Sequence, residues 1–173
     1  MPDAALSHHT VLPPSKGPRA ARLATTLLLA LMVAGCNPGP DYQLSDGSTG
    51  NYADWRGQWV VINYWAAWCK PCLEEMPELA AFARDQAGQV LVFGVNFDNP
   101  EPAALTEQIQ ALKVAIAVPL TDIGAHLGLP RPSALPTTYI LDPRGALAAT
   151  LRGPQDAATL SAAIAAARQA PDV

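Results

Sequence analysis

A chain of 173 residues, half of them hydrophobic, can close one core, which points to a single domain. Its formal net charge of −4, with 11 Lys and Arg scattered among 15 Asp and Glu, supplies no basic stripe and argues against nucleic acid as a partner. With only 15% of residues charged, the composition also excludes a disordered chain.

The first 35 residues differ from the rest. Lys16, Arg19 and Arg22 precede an apolar run from Leu23 to Gly35 that ends at Cys36. A basic stretch followed by a short apolar one is the pattern of an export signal, and this run is shorter than the roughly 20 residues a membrane-spanning helix needs. Its end, "VAGC" (Val33 to Cys36), resembles the lipobox of bacterial lipoproteins, where the chain is cut before the cysteine and the cysteine carries the lipid. The resemblance implies a signal peptide over residues 1–35 and a lipidated Cys36. The alternative is an ordinary signal with a chance cysteine, or a retained anchor. Removing residues 1–35 takes three of the basic residues and one acidic one, leaving 8 against 14. Such an acidic domain is held at a membrane by acyl chains rather than by anionic headgroups. It faces an extracytoplasmic compartment, periplasmic in a two-membrane bacterium, where disulfides persist.

After Cys36, residues 37–41 read as a tether and the Gly-, Asn- and Ser-rich stretch from Tyr42 as a loosely ordered entry to the domain. "WVVINYWA" (Trp59 to Ala66) is β-branched and aromatic, as expected of a strand buried on both faces. From Pro71 to about Ala87, Leu73, Met76, Leu79 or Ala80, and Ala83 recur at helical spacing; Pro71 suits the first turn and Pro77 should kink the helix. "VLVFGVNF" (Val90 to Phe97) reads as a second buried strand, Glu101 to Leu112 as a helix and "VAIAV" (Val114 to Val118) as a short strand. "TDIGAHLGL" gives one or two helical turns. "TTYIL" and "ALAATL" flank "DPRG", whose Asp, Pro and Gly suit a type I turn, so the pair should form an antiparallel hairpin. An amphipathic helix with Leu160, Ala163, Ile164 and Ala167 on one face closes the chain. These units predict an α/β sandwich with a mixed central sheet.

"WAAWCKPCLEEMP" (Trp65 to Pro77) carries the remaining two cysteines. A C-x-x-C serves as half a metal site, a structural bridge or a working dithiol. Tetrahedral zinc needs four ligands, and no second pair accompanies this one; His126 is the only histidine after Cys36. A structural disulfide closing so small a loop constrains little chain. Both readings are weaker than the dithiol, which would sit at a helix N-terminus just after a buried strand.

The order of elements and the motifs "NYWAAWCKPCLEEMP", "VFGVNFD" with an inserted helix after it, and "LPTTYILDPRG" resemble the thioredoxin fold. The similarity is greatest to its membrane-tethered TlpA/ResA branch, over about Tyr42 to Ala167, with the domain taken as 42–170 and 36–41 as lipidated cysteine and tether. The resemblance implies a thioredoxin-like sandwich with the central insertion of that branch. Cys69 is then the exposed nucleophile and Cys72 the buried resolving thiol, with no cofactor beyond the dithiol and no metal. Thiolate on Cys69 is favoured by the helix N-terminus, and Lys70 adds positive charge. Pro136 matches the family's cis-proline, and Leu135 before it would offer backbone hydrogen bonds to a bound peptide. Trp68 would form the surface around Cys69, and Trp65 would be core. Glu75 matches a glutamate of the branch that assists proton transfer at the thiols; the plainer reading is a solvated acid in the first helical turn. Asn63 stands where cytosolic thioredoxins carry a buried aspartate. The three prolines of "GLPRPSALP" depart from the family's shorter segment, and Thr137 replaces the acidic residue common in the cytochrome-maturation branch.

Function follows as an expectation: a membrane-anchored thiol–disulfide oxidoreductase reducing oxidised exported proteins and recharged by a membrane electron-donor reductase. Its clients would include proteins of cytochrome c or copper-site maturation, and oxidative-stress defence is a further setting. Two alternatives stand beside it. One is a disulfide oxidant or isomerase, although strong oxidants place a histidine between the cysteines where this chain has Lys70–Pro71. The other is a client-binding module without redox turnover.

Overall fold

The structure, a computed structural model, describes residues 39–169. The expected signal peptide, Cys36 and its lipid lie outside the described residues.

Seven residues, all apolar or aromatic except Asn63, make the central strand. In chain order the elements are β1 (Tyr42–Gln43), β2 (Thr49–Gly50), a 3₁₀ turn (Tyr52–Trp55), β3 (Trp59–Trp65), α1 (Lys70–Asp85), β4 (Val90–Asn96), α2 (Pro102–Leu112), α3 (Ile123–His126), β5 (Thr137–Leu141), β6 (Leu147–Arg152) and α4 (Ala157–Gln169). The main sheet runs β4-β3-β5-β6. β4 is parallel to β3, while β5 is antiparallel to β3 and β6 to β5. All seven residues of β3 are buried, because strands flank both its edges and packed layers cover both its faces.

Alternation along the strands sends successive side chains to opposite faces. Trp59, Val61 and Trp65 of β3 join Leu79 and Phe82 of α1 and Leu160 and Ile164 of α4 in one apolar cluster. Val60, Ile62 and Tyr64 join Trp55, Phe93, Ile123 and Tyr139 in the other. Asn63 shares its parity with Val61 and Trp65, which turns it toward the face that α1 and α4 cover.

The β5–β6 hairpin forms as expected, closed by Asp142 to Gly145, with the Gly145 N–H donating to the Asp142 carbonyl at 2.8 Å. Helix α1 runs on past Pro77, which has no N–H to offer the Leu73 carbonyl. Two segments differ from expectation. Residues 42–50 are no loose entry: β1 and β2 pair antiparallel, and Asp41, expected in the tether, is tied in by its N–H to Gly50 and its Oδ2 to the Tyr52 N–H. Residues 114–118 form no strand but a single bridge, Ala117 beside Phe93. The reason is where the backbone groups go. The Ala117 carbonyl accepts from the Gly94 N–H of β4 at 2.8 Å, but the Val118 carbonyl accepts from Ser45, the Leu120 N–H donates to Gln43 and Pro119 has no donor, so the pairing with β4 stops after one bridge. Among the described residues, no helix is long and apolar enough to cross a membrane.

Candidate active site

Parallel β3 and β4 end side by side at Trp65 and Asn96, and β5 begins opposite Tyr64. The segments that leave or enter these strand ends, 66–69, 97–101 and 128–136, therefore gather at one end of the sheet. Hydrogen bonds lock them together. The Phe97 N–H donates to the Trp65 carbonyl at 2.7 Å, and Trp68 Nε1 donates to Asp98 Oδ2 at 2.8 Å. Arg131 Nη2 donates to the Phe97 carbonyl at 2.9 Å, and its guanidinium lies 3.9 Å from the Phe97 ring centroid. Tyr139 pins the proline-rich segment from below, its hydroxyl donating to the Pro130 carbonyl at 2.7 Å.

Cys69 and Cys72 are joined as a disulfide with their Cα atoms 5.3 Å apart. Cys69 is the N-cap of α1, and its Sγ accepts from the Cys72 N–H at 3.3 Å. Free N–H groups and the dipole at a helix start favour negative charge, so a thiolate on Cys69 is stabilised there. The expectation of an exposed Cys69 needs correction. It is 4% exposed and Cys72 0%, because Cys69 packs in the cluster that holds Trp65, Ala66 and Met76. Cys69 is still the more accessible of the pair. Lys70 adds little to a thiolate: it pairs with Glu74 at 3.5 Å, and both side chains are mostly in solvent, where their charges are screened.

Trp68 is 66% exposed, beside the disulfide, whereas Trp65 is fully buried. The Leu135–Pro136 bond is cis. The Pro136 carbonyl is taken by the Gly153 N–H at 2.9 Å, while half-buried Leu135 makes no backbone hydrogen bond among the described residues. Thr137 is buried, its Oγ1 donating to the Ala134 carbonyl.

Glu75 is not a solvated first-turn acid. It lies one turn on from Cys72 on the buried face of α1 and is 3% exposed, unlike its exposed neighbour Glu74. Its Oε1 accepts from Asn63 Nδ2 at 2.8 Å and its Oε2 from the Gln155 N–H at 2.7 Å. Burial pushes its pKa above the ordinary value of 4.5, and the two donated bonds, Gln155 first, pull partly back. A cavity of about 290 Å³ connects this carboxyl to the surface, lined by Glu74, Glu75 and Glu78 of α1 and by Gln155, Asp156 and Thr159 at the start of α4. Among the described residues, no group of three or more His, Cys, Asp or Glu is placed to hold a metal ion.

The structure thus brings Cys69, Cys72 and Glu75 together at the N-cap and over the first two turns of α1, with Trp68, Leu135 and Pro136 at the same end of the sheet. Three further contacts were not read from the sequence: Asp98, which holds Trp68; Asn63, whose position the sequence marked but whose bond to Glu75 it did not; and the main chain at Gln155.

The AhpC/TSA family model matches residues 37–150. The thioredoxin-like protein YneN of Bacillus subtilis is 33% identical over 116 residues, which cover 62% of this chain and 65% of that protein. The thiol-disulfide oxidoreductase ResA of Oceanobacillus iheyensis is 31% identical over 121 residues, covering 66% of this chain and 62% of that protein. The chain therefore spans slightly less than two thirds of the length of these two curated relatives. Among solved structures, the pneumococcal exposed lipoprotein thioredoxin of Streptococcus pneumoniae superposes with a TM-score of 0.62 at 23% identity, covering 72% of this chain and 96% of that one. That likeness carries the thioredoxin-like fold.

Proposed function

The chain belongs to the AhpC/TSA family, and from that premise we propose that it is a thiol–disulfide oxidoreductase that reduces disulfides of exported proteins. The observation that carries the reading is the Cys69–Cys72 disulfide at the start of α1, with a backbone N–H aimed at Cys69 Sγ and buried Glu75 one turn on. The relatives' names as thiol-disulfide oxidoreductases support it.

The reduced pair acts in two exchanges. Cys69 thiolate attacks one sulfur of a client disulfide, that bond breaks, and the other client sulfur leaves as a thiolate. Cys72 then gives its proton to Glu75 and attacks Cys69 Sγ, which releases the second client sulfur and closes Cys69–Cys72. Two electrons pass to the client. Glu75 returns its proton to the leaving sulfur or to water in the cavity. A buried thiol needs such a partner, because charge cannot develop on Cys72 in an apolar site without a base at hand. Leu135, with its backbone groups free beside cis-Pro136, receives an extended client backbone, and Trp68 offers the apolar surface next to Cys69.

The compartment belongs to the same proposal. The basic and apolar leader and "VAGC" support export and a lipid on Cys36, which holds the domain near a membrane reductase that recharges it. Clients of cytochrome c maturation are one class; buried Thr137, in place of an acidic residue, argues for a different client set.

Trapping tests the function. Cys72→Ser should freeze the mixed disulfide on Cys69 and bring down oxidised exported proteins with the tethered chain. A Cys72→Ser chain that traps nothing, together with a Cys69→Ser chain that keeps full activity in the cell, would leave the client-binding module as the surviving reading.

A further inference from the structure

The polar network around Glu75 contains a group that the exchange steps leave unused. Asn63 is fully buried in β3. Its Nδ2 donates to Glu75 Oε1 at 2.8 Å and to Thr138 Oγ1 at 3.0 Å, while its Oδ1 is buried with no hydrogen-bond partner among the described residues. A primary amide carries two donors and an acceptor oxygen. Here both donors are spent and the acceptor is not, an arrangement that matches an anion in front of it. Turning the amide over would set Oδ1 against the carboxylate.

The surroundings leave few other groups to hold that charge. On its own helix Glu75 has Cys72, Glu74 and Glu78 for neighbours; Asp156 and Thr159 reach the same cavity from the start of α4, and exposed Arg152 ends β6 two residues before Pro154. The strands beneath present neutral Asn63 and Thr138. Besides Asn63, the other donor to the carboxyl is the Gln155 N–H. Asn63 is thus the side chain that meets this carboxyl from the sheet.

We propose that Asn63 is a positioning residue for thiol exchange: by donating to Glu75 from the sheet it holds the carboxylate in its ionised form and sets the pH at which Glu75 becomes a base for Cys72. The role rests on Glu75 acting as that base, as proposed above. Without the donor, Glu75 keeps its burial and loses one of its two bonds, so it takes up a proton at higher pH.

The test separates the two ideas. In the full chain, carbon-13 NMR of the Glu75 side-chain carboxyl follows its own titration, and the pH–rate profile of the reduced protein with oxidised glutathione follows its use. Asn63→Leu, close to Asn in shape, should raise the Glu75 midpoint by about one unit and carry the acidic limb of the profile up with it. In a Glu75→Gln background the same substitution should leave the limb where Glu75→Gln alone puts it. An unmoved carboxyl midpoint in Asn63→Leu, or a limb shift that persists without Glu75, overturns the role of Asn63. A carboxyl midpoint that moves while Glu75→Gln leaves the wild-type profile unchanged removes Glu75 as the base instead, and with it the part of Asn63 in exchange. Where Asn63→Leu does not fold, Asn63→Val carries the test, with the same rise expected and an unchanged midpoint overturning it.

Discussion

At the scale of single residues, Glu75 carries two separable expectations. Its pKa is higher folded than unfolded because burial penalises the charge. The folded state then holds a proton over a range where the unfolded chain has lost it. Stability is greatest below the ordinary value of 4.5 and falls as pH rises through the raised value. Asp46, Asp142 and Asp156, whose pKa values are lowered, act in the opposite sense and mainly at lower pH. Urea midpoints followed against pH should show that fall, and Glu75→Gln should flatten it; a midpoint that climbs through the range would contradict the buried carboxyl. Trp68→Ala should slow exchange with protein disulfides while leaving the melting temperature nearly unchanged, since the ring stands mostly in solvent and its hydrogen bond to Asp98 is exposed. The Cys69–Cys72 pair was legible as a short local pattern, and the cis bond before Pro136 through the family resemblance that its motif carries. The partners of Glu75 were not. Asn63 is 12 residues away and the Gln155 N–H is 80 away, and no pattern in a sequence records a contact made by the main chain.

Among the elements, the buried strands and long helices matched their sequence patterns to within a few residues, because burial on both faces or on one stripe leaves a period in the chain. Residues 42–50 and 114–118 did not. Two-residue strands have no period to read, and 114–118 divides its carbonyls between Gly94 of β4 and Ser45 beyond β1, which is decided by the assembled fold. Helix α1 is held to the sheet by an apolar stripe, and Leu79 within it is fully buried. Leu79→Ala should cost about 3 kcal/mol by lost transfer energy and the cavity left behind, measured by urea unfolding. The hairpin turn depends on Asp142, whose Oδ1 accepts from the Arg144 and Ala146 N–H groups, each at 2.9 Å. Asp142→Ala should cost about 1 kcal/mol and loosen amide protection in β5 and β6 ahead of the rest of the sheet.

For the whole molecule, the question is which way electrons run. The site offers Cys69 one backbone donor and a screened lysine, and sets the buried Glu75 one turn on from Cys72. Such a thiolate is stabilised only modestly, and modest stabilisation of the reduced form goes with a reducing pair. The potential should lie nearer about −270 mV than about −120 mV, the values of a thioredoxin and of a strong disulfide oxidant. Titration against glutathione buffers measures it, and a value at the oxidising end would turn the proposed direction around.

The bond from Gln155 to Glu75 has a consequence for variation. Its donor belongs to the peptide unit, so the side chain at 155 can drift without touching the carboxyl. Proline is the exception, because it deletes the N–H outright. Length is the other vulnerability: one residue gained or lost between Gly153 and Asp156 would carry a different amide to that spot or none. Substitution tolerance at 155 and intolerance to insertion beside it should therefore appear together in one mutational scan, a signature that neither an ordinary surface loop nor a side-chain ligand would leave.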